Sequence, residues 1–164
     1  MRTSEHGFTL IELLIVIALI GVLAALSAPF LLAAKKASNE ASAIGSMKAI
    51  NSAQAGYSSS CGANYYATDV MTLINGAYIS PDIALLPKSG FTVTLAAGGT
   101  SSPGAPDCLG TATQTGYYAT AAPAGVDAGR RGFATSQAGV VWEDRSGAAP
   151  TEPFAITATV GPIQ

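Results

Sequence analysis

The chain has 164 residues, 49% of them hydrophobic and only 11% charged, under half the roughly 25% charge of an ordinary globular domain. A net charge of −2 gives no field to hold a polyanion, so nucleic acid is not an expected partner. One His and two Cys are too few for a His-rich metal centre or a multi-bridge scaffold, and the balance points to a chain that meets lipid or other subunits rather than to an enzyme.

The first seven residues, MRTSEHG, carry one Arg, one Glu and one His. Glu12 follows, and then 22 residues without a charge, LLIVIALIGVLAALSAPFLLAA from Leu13 to Ala34, closed by Lys35 and Lys36. A bilayer core of ~30 Å takes about 20 apolar residues at 1.5 Å each, so this run is long enough to span. A buried core helix is the competing reading, although core helices of small domains usually keep a polar face. Ala24 to Ala28 offers an A-x-A-like site for ordinary signal cleavage, but Glu12 interrupts the front of the run. The helical pattern also continues past Ala28 through Glu40 towards Tyr57.

Glu12 is the most informative residue. An ionised carboxylate among apolar groups costs several kcal/mol unless paired. The nearest cations within the helix, Lys35 and Lys36, lie some 35 Å away at helical rise. Snorkelling to the headgroups, or protonation, is one answer. A cut after Gly7 is another: it would leave an α-ammonium on Phe8, about one helical turn from Glu12, with the same group on a neighbouring molecule also in reach.

Gly7-Phe8-Thr9-Leu10-Ile11-Glu12, followed by the uncharged run with Pro29 seventeen residues after Glu12, resembles the type IV prepilin signature shared by pilins and type II secretion pseudopilins. The resemblance covers Gly7 to about Tyr57. It implies cleavage between Gly7 and Phe8 by a prepilin peptidase, N-methylation of Phe8, pairing of Glu12 with a neighbouring subunit's terminal amine during assembly, and a helix kink at Pro29. The leader departs from the family in being weakly basic, with Arg2 offset by Glu5.

The same pattern organises the chain as a leader (1–7), a hydrophobic membrane and assembly helix (8–34), an amphipathic half of the same helix (35–59) and a head (60–164). A helix from Phe8 to Ser59 would run roughly 78 Å, too long for a compact domain of the remaining residues to cover. Gly21 and Pro29 weaken it, which predicts bending or local melting between them in a fibre. Ala43, Met47, Ile50 and Tyr57 recur on one helical face, with Asn39, Glu40, Ser42, Ser46, Lys48, Asn51 and Ser52 between them; that face should pack on the head.

In the head, Ala67–Gly76 predicts a short helix capped by Thr68 or Asp69 and stopped by Gly76. Strands are expected at Phe91–Leu95, Gly116–Thr120, Gly132–Thr135, Val140–Glu143 and Phe154–Val160, with a hairpin through Ser136–Gly139. The fold class is therefore α+β: a long N-terminal helix packed on a small antiparallel sheet, as the pilin resemblance also implies. Cys61 and Cys108 would bridge in an oxidising compartment, closing a 48-residue loop worth about 4 kcal/mol; two unpaired thiols are the alternative.

Asp127, Glu143 and Asp144 are candidate cation ligands by the resemblance to calcium-binding pseudopilins, but solvated turns are the plainer reading and no metal is expected. Arg130-Arg131 reads as a surface spot. Tyr65, Tyr66, Tyr117 and Tyr118 read as one ring in and one ring out. The sequence shows no catalytic set and no phosphate loop, and no cofactor is expected. The expected function is a structural subunit of a type IV pilus. Its partners would be copies of itself in a helical filament, the inner membrane, prepilin peptidase and an assembly machinery with a separate ATPase. A pseudopilin, a minor pilin or a membrane-anchored binding protein are the alternatives.

Overall fold

The computed structural model describes residues 7–163. They form two compact units, the first ending at Lys35 and the second beginning at Lys36, and a single helix, α1 (Leu10–Ser60), contributes to both. α1 begins because the Thr9 hydroxyl accepts the Glu12 N–H at 3.3 Å, a side-chain N-cap that satisfies one of the helix's orphan donors. It ends where Gly62 and Asn64 donate back to Tyr57 and Ser58 carbonyls.

In the first unit, no residue of the most apolar 18-residue window, of mean hydropathy 2.8, is buried. The second unit uses the other half of α1 as one wall of a core. Ala43, Met47 and Ile50 pack with Phe91, Val93, Tyr117, Ala119, Ala121 and Phe133. These come from strands β2 (Phe91–Ala97), β4 (Tyr117–Pro123) and β5 (Gly132–Ser136). The alanines at the sheet centre sit among large neighbours, the alternation of volumes that close packing needs. A smaller cluster, Ala53, Tyr57, Ala67 and Leu73, lies under β1 (Tyr66–Ala67) and α2 (Val70–Asn75). Asp69 caps α2 by accepting the Thr72 N–H at 2.9 Å, and Gly76 follows its last residue.

The main sheet is antiparallel throughout, in the order β2-β4-β5-β6-β7, with β6 at Val141–Asp144 and β7 at Val160–Pro162; β1 pairs separately with β3 (Thr113–Gln114). Every residue of β5 is buried. One face meets the helical core. On the other face Trp142 stacks on Phe154 at 5.3 Å, and the Tyr118 hydroxyl donates to the Pro150 carbonyl at 2.5 Å, so the 150–154 segment covers the sheet. A Cβ at Gly132 would lie 2.0 Å from the Ala148 carbonyl oxygen; only glycine allows that approach.

The α+β class and the antiparallel sheet match the sequence reading, as do four of the five expected strands. The strand expected at Phe154–Val160 is corrected: only Val160 belongs to a strand, and residues 155–159 are exposed. The apolar–polar alternation is there, but the Thr157 hydroxyl accepts the N–H groups of Thr159 and Val160 at 3.3 and 3.0 Å. This local turn takes the donors that a ladder would have used.

Candidate functional site

Sixteen large apolar side chains between Phe8 and Leu32 are exposed. At ~1.5–3 kcal/mol for burying each fully, a cover of lipid or protein is worth on the order of 20 kcal/mol even with partial burial. Gly7, Phe8 and Thr9 precede the helix, so the Gly7–Phe8 bond lies in non-helical backbone. Arg2, Glu5, His6 and the rest of the leader before Gly7 lie outside the described residues. Glu12 sits on the third helical position, three after its cap, and among the described residues its carboxylate has no ion-pair partner.

The capping pattern Thr9-x-x-Glu12 was a further signal in the sequence: a Thr followed three residues later by Glu is a helix-start signature. The helix runs unbroken through Gly21 and Pro29 in the single chain. Pro29 has no N–H, which leaves the Ala25 carbonyl without its usual donor. A Cβ at Gly21 would meet nothing within 4 Å. Ser27 donates to the Leu23 carbonyl at 2.8 Å.

The two cysteines are joined, with Cα atoms 4.9 Å apart. The bridge ties the end of α1 to the 105–111 loop, where the Cys108 N–H also donates to the Cys61 carbonyl at 2.9 Å. Beside it the buried Asp107 carboxylate accepts from the Tyr57 hydroxyl (2.8 Å) and from the Leu109 and Thr111 N–H groups (2.9 and 2.7 Å). Burial pushes the Asp107 carboxyl up, but the Thr111 amide and the Tyr57 hydroxyl outweigh it and hold it below the usual range. The Tyr57 phenol is pushed well above its ordinary value by burial and by the facing carboxylate.

Glu40 and Arg131, expected on solvated surfaces, instead fasten helix to sheet. Glu40 is buried. Its carboxylate accepts from the Arg130 N–H at 2.6 Å, the Arg131 N–H at 3.2 Å and the Arg131 guanidinium at 2.8–2.9 Å. Arg131 also meets Glu143 at 2.5 Å, and Arg145 meets the other Glu143 oxygen at 3.0 Å. Burial raises the Glu40 carboxyl, but the Arg130 amide and the Arg131 guanidinium together hold it below the carboxylate range. The same two carboxylates keep Arg131 firmly charged against its own desolvation.

Gln54, also fully buried, pairs with Ala67 in both directions at 2.9 Å, and Asn51 accepts from the Tyr117 hydroxyl and donates to the Gly139 carbonyl. Periodicity set Asn51 among the polar positions of the helix and did not mark Gln54, because it reads hydropathy and not the partners that distant segments supply. Tyr117 is buried and Tyr118 half-buried, the in-and-out pair expected; Tyr65 and Tyr66 are both half-buried.

Among the described residues, no group of three His, Cys, Asp or Glu side chains is placed to hold a metal ion. Glu143 is occupied by two guanidinium groups, Asp127 by Lys36 at 3.4 Å, and Asp144 by the Ser146 N–H at 2.8 Å. A cavity of about 480 Å³ beside Trp142 and Phe154 holds one carboxylate, Glu152, which accepts the Gly99 N–H. That is no nucleophile–base pair.

Residues 2–28 match the family model described as the prokaryotic N-terminal methylation motif, the signature of type IV prepilin-like proteins. No curated protein and no solved structure matches the chain. The motif implies processing by prepilin peptidase, and the apolar helix that follows fits membrane anchoring of a precursor of that type.

Proposed function

We propose that this chain is a non-enzymatic structural subunit of a type IV pilus. Prepilin peptidase cuts it between Gly7 and Phe8 and methylates Phe8. It waits in the inner membrane and then polymerises through the N-terminal helix into a helical filament, driven by a separate assembly ATPase. The observation that carries the reading is Glu12, the lone acid at the head of an exposed apolar helix, inside the matched methylation motif.

Lipid and a helix bundle are similarly apolar, so transfer between them gains little from burial alone. Direction has to come from something specific. Glu12 lies four residues from the Phe8 amine, on the first turn of the helix that starts at Leu10. A charge left unpaired in the bundle costs several kcal/mol, and an incoming subunit whose amine reaches Glu12 relieves that cost in one register only. Ala18, Gly21, Ala25 and Ala28 supply small positions for close approach. Gly21 and Pro29 give the helix two weak points at which to bend in the packed fibre.

The test is mass spectrometry of filaments sheared from cells carrying the wild type or Glu12→Ala. Wild-type filaments should contain this chain beginning at methylated Phe8. The variant should lose filaments while its membrane pool persists. Normal fibres from Glu12→Ala, or wild-type filaments that retain the leader, would refute the proposal.

A further inference from the structure

We infer that the cavity on the outer face of the main sheet, between the 150–154 segment and the turn after β5, binds a neutral sugar ring. All of its residues belong to the second unit, so the site stands apart from the membrane and filament reading.

Ser136 is the odd residue of β5. It pairs across the sheet with Tyr118, and Ala134, two positions earlier, pairs with Trp142. Side chains alternate along a strand, so Ser136 shares the face of Tyr118 and Trp142, opposite the helical core. It is only 5% exposed, yet among the described residues its hydroxyl makes no hydrogen bond. A buried hydroxyl without a partner is destabilising. Among the described residues no unpartnered side-chain oxygen or nitrogen is sealed inside the protein, so this one opens on the cavity that Ser136 lines.

The polar groups around it are unengaged as well. The Gln137 side chain lies against Gly116, where an added Cβ would come within 2.9 Å of its Oε1. Among the described residues its carboxamide makes no hydrogen bond, nor do the Thr100 hydroxyl and the Trp142 indole N–H. Glu152 accepts the Gly99 N–H on Oε2 at 2.8 Å and leaves Oε1 open, with no ion-pair partner among the described residues. The cavity thus offers hydroxyl, amide and indole donors beside carbonyl and carboxylate acceptors, and its lining contains no cation.

These groups select the ligand. A volume of about 480 Å³ suits a small molecule. A carboxylate with no cation beside it repels anions. Trp142 and Phe154 lie nearly parallel, 18° apart in plane with centroids 5.3 Å apart. A quaternary ammonium is held by rings that wall it as a cage; two rings stacked on each other make a flat platform instead. A pyranose has an apolar C–H face to lay on such a platform. Its rim of hydroxyls both donates and accepts, as the mixed set around Ser136 requires.

Trp142 is the only tryptophan of the chain, so its emission reports on the cavity directly. The experiment titrates the full chain, in a polyoxyethylene detergent that carries neither sugar nor ammonium, with lactose, cellobiose and N,N′-diacetylchitobiose, and separately with choline chloride. At least one disaccharide should change the emission saturably in the millimolar range, and choline should not. Ser136→Ala and Gln137→Ala should each weaken that binding about fivefold, the effect of one net hydrogen bond, with thermal melting unchanged because neither side chain has a partner within the chain. No saturable response to any of the three sugars overturns the site. A saturable response to choline at equal or lower concentration overturns it in favour of a cation. An unchanged midpoint in Ser136→Ala also overturns it; should that variant melt early, the exposed Gln137→Ala decides by the same criterion.

Discussion

Removing the Cys61–Cys108 bridge, as the double variant Cys61→Ser/Cys108→Ser, should lower the melting temperature of the second unit by about 15 °C. The bridge joins residues 47 apart in sequence. In the chain-entropy model a loop of that size restrains the unfolded chain by about 4 kcal/mol. The second unit runs from Lys36 to the C-terminus, 129 residues. At ~2.1 cal/mol/K per residue, each kcal/mol then shifts the midpoint by roughly 4 °C. The assay is circular dichroism melting of the full chain in detergent, followed at sheet wavelengths and repeated on the wild type under reducing conditions. Tyr57→Phe provides the comparison: it removes one hydrogen bond to Asp107 but leaves the two backbone donors, and should cost only about 1–2 kcal/mol. A double serine variant that melts within 4 °C of the wild type would refute the reasoning. The Asp107 hydrogen bonds and the Cys108–Cys61 backbone bond would then be enough to close the loop.

Arg131→Met removes the cation between Glu40 and Glu143 and leaves two carboxylates facing each other. Breaking a buried pair costs about 3–5 kcal/mol; with Arg131 partly exposed, about 2–3 kcal/mol is expected in urea titration, and a loss under 1 kcal/mol would refute the network's role. Glu40 and Asp107 both have folded-state values below the ordinary carboxylate range, so the unfolded chain binds protons first as acid is added. Their stabilisation is complete above the ordinary carboxylate values near pH 4 and is lost as pH falls through the lower folded values. Melting should therefore be flat from pH 7 to about pH 5 and decline below about pH 4, and a decline that begins near pH 6 would contradict this.

The helix, its amphipathic second half and most of the sheet were legible because each depends on local period: Ala43, Met47, Ile50 and Tyr57 form one stripe, and Phe91–Leu95 alternate. The methylation motif was legible for the same reason, its residues being contiguous. Phe154–Val160 alternate just as well, yet periodicity says nothing about whether a strand has a neighbour, and Thr157 turns the chain instead. Glu40 and Arg131 were misplaced on solvated surfaces because their partners lie 90 and 12 positions or more away in sequence. A polar residue is buried or exposed according to whether such a partner arrives, and hydropathy patterns carry no information on that.

Ser27 is the one hydroxyl within the run from Leu13 to Ala34, and it spends its proton on the Leu23 carbonyl of its own helix. It therefore asks nothing of whatever surrounds it. Acyl chains, a neighbouring copy or a cavity wall are equivalent to this hydroxyl, so an exchange of one for another leaves its hydrogen bonding untouched. Within the run, the demand for a hydrogen-bond partner falls instead on the Ala25 carbonyl opposite Pro29 and, at its front, on the Glu12 carboxylate, so a preference for one medium over another is decided at those two points.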